Sequence, residues 1–188
     1  MDEPSEKITK FLIFFVIFVL IIKSASQGGF FEPKDHKGTG YYVLIPTGWQ
    51  KAKKQKDVYY PRDVDVVMFV PQGTDISAGM PDMHISIYAK KLSTPIWIED
   101  EFPDILNSIR QEGMDIKDQG EIKIDDVISN WVVYFDKAAP ALVLEFYIVT
   151  DSSMFYKMQY SAPPEKFNKY RKSFEELKDS FKFRFSII

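Results

Sequence analysis

The chain contains no cysteine. That excludes disulfides, iron–sulfur clusters, thiolate zinc sites, thiol nucleophiles and acylated-cysteine lipoprotein anchors. Histidine is nearly as scarce, with only His36 and His84. Excess positive charge is missing too: a net charge of −3 and a pI near 5.5 give no reason to expect nucleic acid, which wants a basic face. Catalytic signatures are equally thin. There is no G-x-S-x-G nucleophile elbow, no H-E-x-x-H and no acidic calcium loop. The segment Lys37-Gly38-Thr39-Gly40 lacks the run into Lys-Ser/Thr and a helix that a phosphate loop needs. Catalysis requires convergent groups of tunable pKa, and this sequence assembles none. No catalytic residue, cofactor or metal site is assigned.

The titratable residues that do occur have plainer readings. His36, beside Asp35 in a polar stretch, reads as solvated. His84 begins a strand after Met80-Pro81-Asp82, and Asp82, two residues away, would share its face. Two ligands do not make a metal site, so His84 reads as structural or exposed. Three acidic groups, Asp63 with Asp65, Glu99-Asp100-Glu101 and Asp125-Asp126, fall at loop-like positions and read as charged turns.

Apolar residues are abundant. The chain is 45% hydrophobic and 27% charged, too apolar for a disordered polymer. Setting aside roughly the first 37 residues leaves about 150, the size of one domain with one core. Phe11 to Ile22 forms an unbroken apolar run between Lys10 and Lys23. As a helix it is about 18 Å long, short of the roughly 30 Å hydrocarbon core of a bilayer. Counted from residue 8 to 26, with both lysines snorkelling, it reaches about 28 Å. An uncleaved anchor with Phe11, Phe14, Phe15, Phe18, Leu20 and Ile22 in the bilayer is the favoured reading. Ser24-Ala25-Ser26 before Gln27 also allows a cleaved signal peptide, and a buried helix of a soluble protein is the third option. The head mixes Asp2, Glu3 and Glu6 with Lys7 and Lys10, less positive than a signal peptide wants. Lysines on both sides of the run leave the positive-inside count undecided; a cytoplasmic head is simplest and places the domain outside. The organisation is therefore a short head (1–7), an anchor or signal segment (8–26), a flexible tether (27–39) and one domain (40–188).

Within that domain, Tyr41 to Pro46 reads as a strand closed by the turn Pro46-Thr47-Gly48-Trp49. Lys51, Lys53, Lys54 and Lys56 follow as a basic loop, then strands at Val58–Tyr60 and Val66–Val70. The Pro- and Gly-rich stretch 71–82 is a loop, and 84–92 a further strand. Phe102, Ile105, Leu106 and Ile109 make a helical stripe with Pro103 in its first turn and Gly113 as its stop. Four extended runs come next, 121–124, 130–136, 142–150 and 154–161. Their short connections imply an antiparallel meander. Pro163-Pro164-Glu165 opens a last helix whose stripe is Phe167, Tyr170, Phe174, Leu177 and Phe181. The expected class is α+β, with helices packed on an antiparallel sheet.

The stretches "YYVLIPTGWQ", "SIYAKKLSTPIWIEDEFPDIL" and "YKMQYSAPPEKFNKYRKSFEELKDSFKF" resemble the PsbP-like superfamily over roughly Gly40 to Phe183. The resemblance implies an α-β-α sandwich around an antiparallel sheet. It also implies a protein that binds and stabilises rather than catalyses, since the family includes extrinsic and assembly subunits of photosynthetic complexes and bacterial envelope proteins. No ligand residues carry over position by position. The expected function is a single-pass, membrane-anchored accessory or assembly subunit of a membrane protein complex, with its domain in a periplasmic or lumenal space. Its partners would be the lipid bilayer and that complex, and not nucleic acid. The expected contact residues are Lys51, Lys53, Lys54, Met80, Asp82 and His84. The alternative is a carrier or chaperone for an apolar ligand or peptide, which needs an open apolar groove between sheet and helix. An enzyme would need a polar cleft centred on His84.

Overall fold

Alternation of apolar side chains writes most of the strands, and the computed structural model describes them within residues 34–52, 63–75 and 79–184. The order along the chain is β1 (Asp35–Gly38), β2 (Tyr41–Leu44), β3 (Trp49–Lys51), β4 (Val64–Pro71), β5 (His84–Lys91), α1 (Ile98–Gln111), β6 (Asp115–Ile124), β7 (Val127–Asp136), β8 (Ala141–Val149), β9 (Met154–Ala162), α2 (Pro164–Asp179) and β10 (Lys182–Phe183). Seven strands form one sheet in the order β3-β4-β5-β9-β8-β7-β6, and β1-β2-β10 form a small second sheet. Every pairing is antiparallel.

β8 shows how the layers arise. Leu144, Phe146 and Ile148 point to one face, where they meet Phe167, Phe174 and Leu177 of α2 and Tyr41 and Val43 of the small sheet. Val143 and Tyr147 point to the other face, under Ile98, Phe102, Leu106 and Ile109 of α1. A strand buried on both faces must be apolar on both, which is why β8 shows no clean alternation. The α2 side is filled with rings: Tyr160 lies 5.0 Å from Phe167 and 5.7 Å from Phe174, centroid to centroid. Tyr41 stacks on Phe181 at 5.2 Å. Each such side chain contributes about 1.5–3 kcal/mol by leaving water.

The expected turn forms after β2. The Trp49 amide donates to the Pro46 carbonyl at 3.0 Å, and Gly48 adopts φ +80°, a conformation that costs glycine least. Trp49 is buried and plugs the turn into the core.

Several expectations need correction. Pro103 is the sixth residue of α1 and not part of its first turn. The helix begins earlier because Ile98 is buried against the sheet, so Glu99, Asp100 and Glu101 occupy the first helical turn, where negative charge suits the dipole. Asp65 lies inside β4. The first run of the meander starts at Asp115, six residues ahead of Glu121. Phe181, expected on the stripe of the last helix, lies beyond its end at Asp179 and stacks on Tyr41 instead. His36, expected in a solvated tether, belongs to β1; its ring lies 5.6 Å from Phe69 and its Nε2 3.3 Å from the Tyr41 hydroxyl. The anchor residues Phe11, Phe14, Phe15, Phe18, Leu20 and Ile22, the lysines 53, 54 and 56 and the Val58–Tyr60 strand lie outside the described residues. Among the described residues no helix is long and apolar enough to cross a membrane.

Candidate functional site

α1 lies across β6, β7 and β8. Beyond it the same face of the sheet turns polar. The register aligns Ser86 of β5 with Gln159 of β9 and Glu145 of β8, and, one pair along, His84 with Ser161 and Val143.

Glu145 is 2% exposed, and a bare carboxylate there would be severely penalised. Its partners offset that cost. Lys157 Nζ donates to Oε1 at 3.2 Å and Gln159 Nε2 to the same oxygen at 3.0 Å. The Tyr147 hydroxyl donates to Oε2, and the Tyr134 hydroxyl also bonds to the carboxylate. Burial, followed by the charge of Glu145, pushes the Tyr147 and Tyr134 hydroxyls far above the ordinary phenol range. Both stay protonated and serve as donors. Gln159 Oε1 accepts from Ser86 Oγ at 3.2 Å, and its amide reaches the His84 ring.

His84 is buried, and burial lowers its pKa below the usual 6.5 despite its bonds to Pro81 and Gln159. The neutral ring has one N–H; Nδ1 lies 3.2 Å from the Pro81 carbonyl, which can only accept, so Nδ1 carries the proton. Nε2 is left without a proton, and the ring sits between Pro81 and Gln159.

Next to this cluster the surface dips into a depression of about 600 Å³, walled by Met80, Asp82, Met114, Tyr134 and Pro163, with His84 and Gln159 among its lining. Met80, Asp82 and His84 are thus brought together. Met80 is 69% exposed and Asp82 is exposed, whereas His84 is buried. Lys51 is not part of that group: by register it shares the opposite face with Phe69, and its Nζ lies 3.5 Å from His36 Nδ1. Lys53 and Lys54 fall outside the described residues. Among those residues no group of three His, Asp or Glu side chains is placed to hold a metal ion.

Glu145, Tyr147 and Gln159 escaped the reading of the sequence. The available hint was a lone acid in mid-strand, with Val143 and Tyr147 on its own face and apolar residues on the other.

No family model matches the sequence, and no curated protein does. Solved structures do match. Cyanobacterial PsbP (CyanoP) from Synechocystis superposes with a TM-score of 0.53 at 14% identity, covering 83% of this chain and 96% of that one. LpqN of Mycobacterium tuberculosis, described as involved in cell envelope biogenesis, gives 0.57 at 10% identity over 84% and 87%. A Pseudomonas aeruginosa protein of unknown function gives 0.51 at 10% identity over 83% and 100%. The described residues thus share the α+β fold of these structures. At these identities the likeness is one of fold.

Proposed function

We propose that this chain is a non-catalytic accessory or assembly subunit of a membrane protein complex, held at the bilayer by its apolar segment 8–26 and binding through its PsbP-like domain on the extracytoplasmic side. The observation that carries the reading is the closure of the polar cluster: Lys157, Gln159 and Tyr147 all donate to the Glu145 carboxylate, and His84 Nδ1 is held by the Pro81 carbonyl. A general acid or base needs a free proton site facing substrate; these groups spend theirs on structure. The folds of CyanoP and LpqN, the second described in connection with the cell envelope, fit a domain working at a membrane. Tethering raises the local concentration of a domain near membrane partners, so a weak interface suffices.

The depression beside Met80 favours a second reading, a carrier of a small apolar ligand. Against it, the space between α2 and the sheet is filled by Tyr160, Phe167 and Phe174.

Native mass spectrometry of the C-terminally tagged chain, extracted from its own membranes in mild detergent, separates the two. The accessory reading expects the full-length mass with a stoichiometric partner. A soluble, partner-free mass starting near Gln27 would overturn it in favour of the carrier.

A further inference from the structure

A recess of about 260 Å³ opens at the start of α1, lined by Ile96, Trp97, Ile128 and the acidic residues Glu99, Asp126 and Asp151, among others. Its volume is below that of pockets which take whole small molecules, about 300–1,000 Å³, and suits a single inserted side chain. Four large apolar side chains stand exposed among the described residues, Met80, Trp97, Ile122 and Ile128, and two of them are here.

Trp97 is out of place on local grounds. It occupies the N-cap of α1 and makes no capping hydrogen bond from its side chain, where Ser, Thr, Asp or Asn would stabilise the helix by about 1 kcal/mol. Nor does it serve the core, being 69% exposed. With Ile128 beside it, its exposed indole gives the recess an apolar lip.

The rim is of one sign. No lysine, arginine or histidine lines the recess, and Glu99, Asp126 and Asp151 make no ion pair among the described residues. Lys182 is held by the neighbouring Asp125, 2.7 Å from its Oδ1, and its charge also reaches Asp126, so Glu99 and Asp151 are the rim acids it leaves untouched. Lys123 stands across from Ile128 in the register, outside the lining. The N-terminus of α1 contributes roughly half a positive charge, which the three carboxylates outweigh.

We infer that this recess takes a cationic side chain, arginine or lysine, flanked by apolar residues on a segment of the partner protein. The inference builds on the accessory-subunit reading. The indole face of Trp97 attracts a cation, a carboxylate of the rim pairs with a guanidinium through two parallel hydrogen bonds, and Ile96 and Ile128 cover the aliphatic stem. Aromatic and arginine anchors of this kind dominate interfaces.

The test titrates the full-length protein in mild detergent with a Gly-Ser-Leu-Arg-Leu-Ser-Gly peptide and with its citrulline counterpart, which keeps the shape and removes the charge. The arginine peptide binds about tenfold tighter or more, and Glu99→Gln with Asp126→Asn reduces that preference to about twofold. Trp97→Ser abolishes binding while improving the helix cap, so the loss is not unfolding. Equal binding of the two peptides, or an unchanged preference in the variants, overturns the inference. In the native mass spectrum, a partner retained by Trp97→Ser overturns the recess and leaves the accessory reading standing. A homodimer that falls apart in Trp97→Ser puts a second copy of this chain in the recess and also overturns it. A wild-type chain without any partner overturns the accessory reading, and the peptide titration then decides the recess alone.

Discussion

Lys157 and Glu145 form an unequal pair: the carboxylate is 3% exposed in its side chain and the lysine 35%. Removing the lysine strands a charge that cannot rehydrate. Lys157→Met is expected to cost about 1–3 kcal/mol in urea denaturation, toward the lower part because the lysine is partly solvated. Glu145→Gln combined with Lys157→Met should cost less than Lys157→Met alone, since no unpaired charge remains and the amide oxygen still accepts from the neighbouring donors; additive losses would contradict the pairing. His84 supplies a second residue-scale expectation. Its pKa is lowered, so the unfolded chain takes up the proton first as pH falls. Its stabilisation is complete above the ordinary 6.5 and is lost below it. His36 acts in the same direction. Asp115 and Asp125, with pKa values below the usual 3.8, add losses only in stronger acid. Calorimetry should show the melting midpoint falling between pH 7 and about pH 5, and His84→Gln should flatten part of that decline. An identical slope in His84→Gln would show that the histidine is not the titrating group.

At the scale of the element, α1 carries the conflict between local rule and packing. Pro103 lies inside it and has no N–H for the Glu99 carbonyl one turn back. The position is exposed, so water takes over that carbonyl and the helix survives. Pro103→Ala restores the bond and is expected to stabilise by about 1–2 kcal/mol, after allowing for the stiffer unfolded chain that proline provides. A loss of stability on urea denaturation would show that the ring packs on a neighbour. α2 has no such conflict. Pro164 starts it, Glu165 follows in its first turn, and Phe167, Phe174 and Leu177 are buried in step with its period.

Across the whole molecule, the two cores rest on tyrosine. Burial pushes the hydroxyls of Tyr41, Tyr134, Tyr147 and Tyr160 far up, and that of Tyr156 up to about 12. A raised phenol pKa means the folded state holds its proton longer. The stabilisation is therefore complete below the ordinary value of 10 and is lost as pH rises through the folded values. Alkaline titration should give one cooperative transition in which tyrosinate absorbance and loss of circular dichroism coincide. Stepwise ionisation with an intact dichroism signal would contradict this account. The same two-core design leaves α1 covering only one side of its sheet face, with the His84 depression and the Trp97 recess both along its margins.

Sequence by itself determined what is local. The absence of cysteine closes off thiol chemistry, the stripe from Phe167 to Leu177 dictates a helix, and Pro46-x-Gly48-Trp49 dictates a turn, because each depends on neighbours within a few residues. Tertiary structure decided the rest. The start of α1 follows from what Ile98 can bury beneath it, and His36 became a strand residue because β2 was there to pair with β1. Glu145 became a satisfied buried charge only when β9 brought Lys157 and Gln159 beside it, a dozen or so residues along the chain. The recess at Trp97 joins the entry of α1, the β6–β7 turn and the end of β8. Those segments are far apart in sequence; antiparallel pairing sets the β6–β7 turn beside the end of β8, and burial of Ile98 brings the entry of α1 to them.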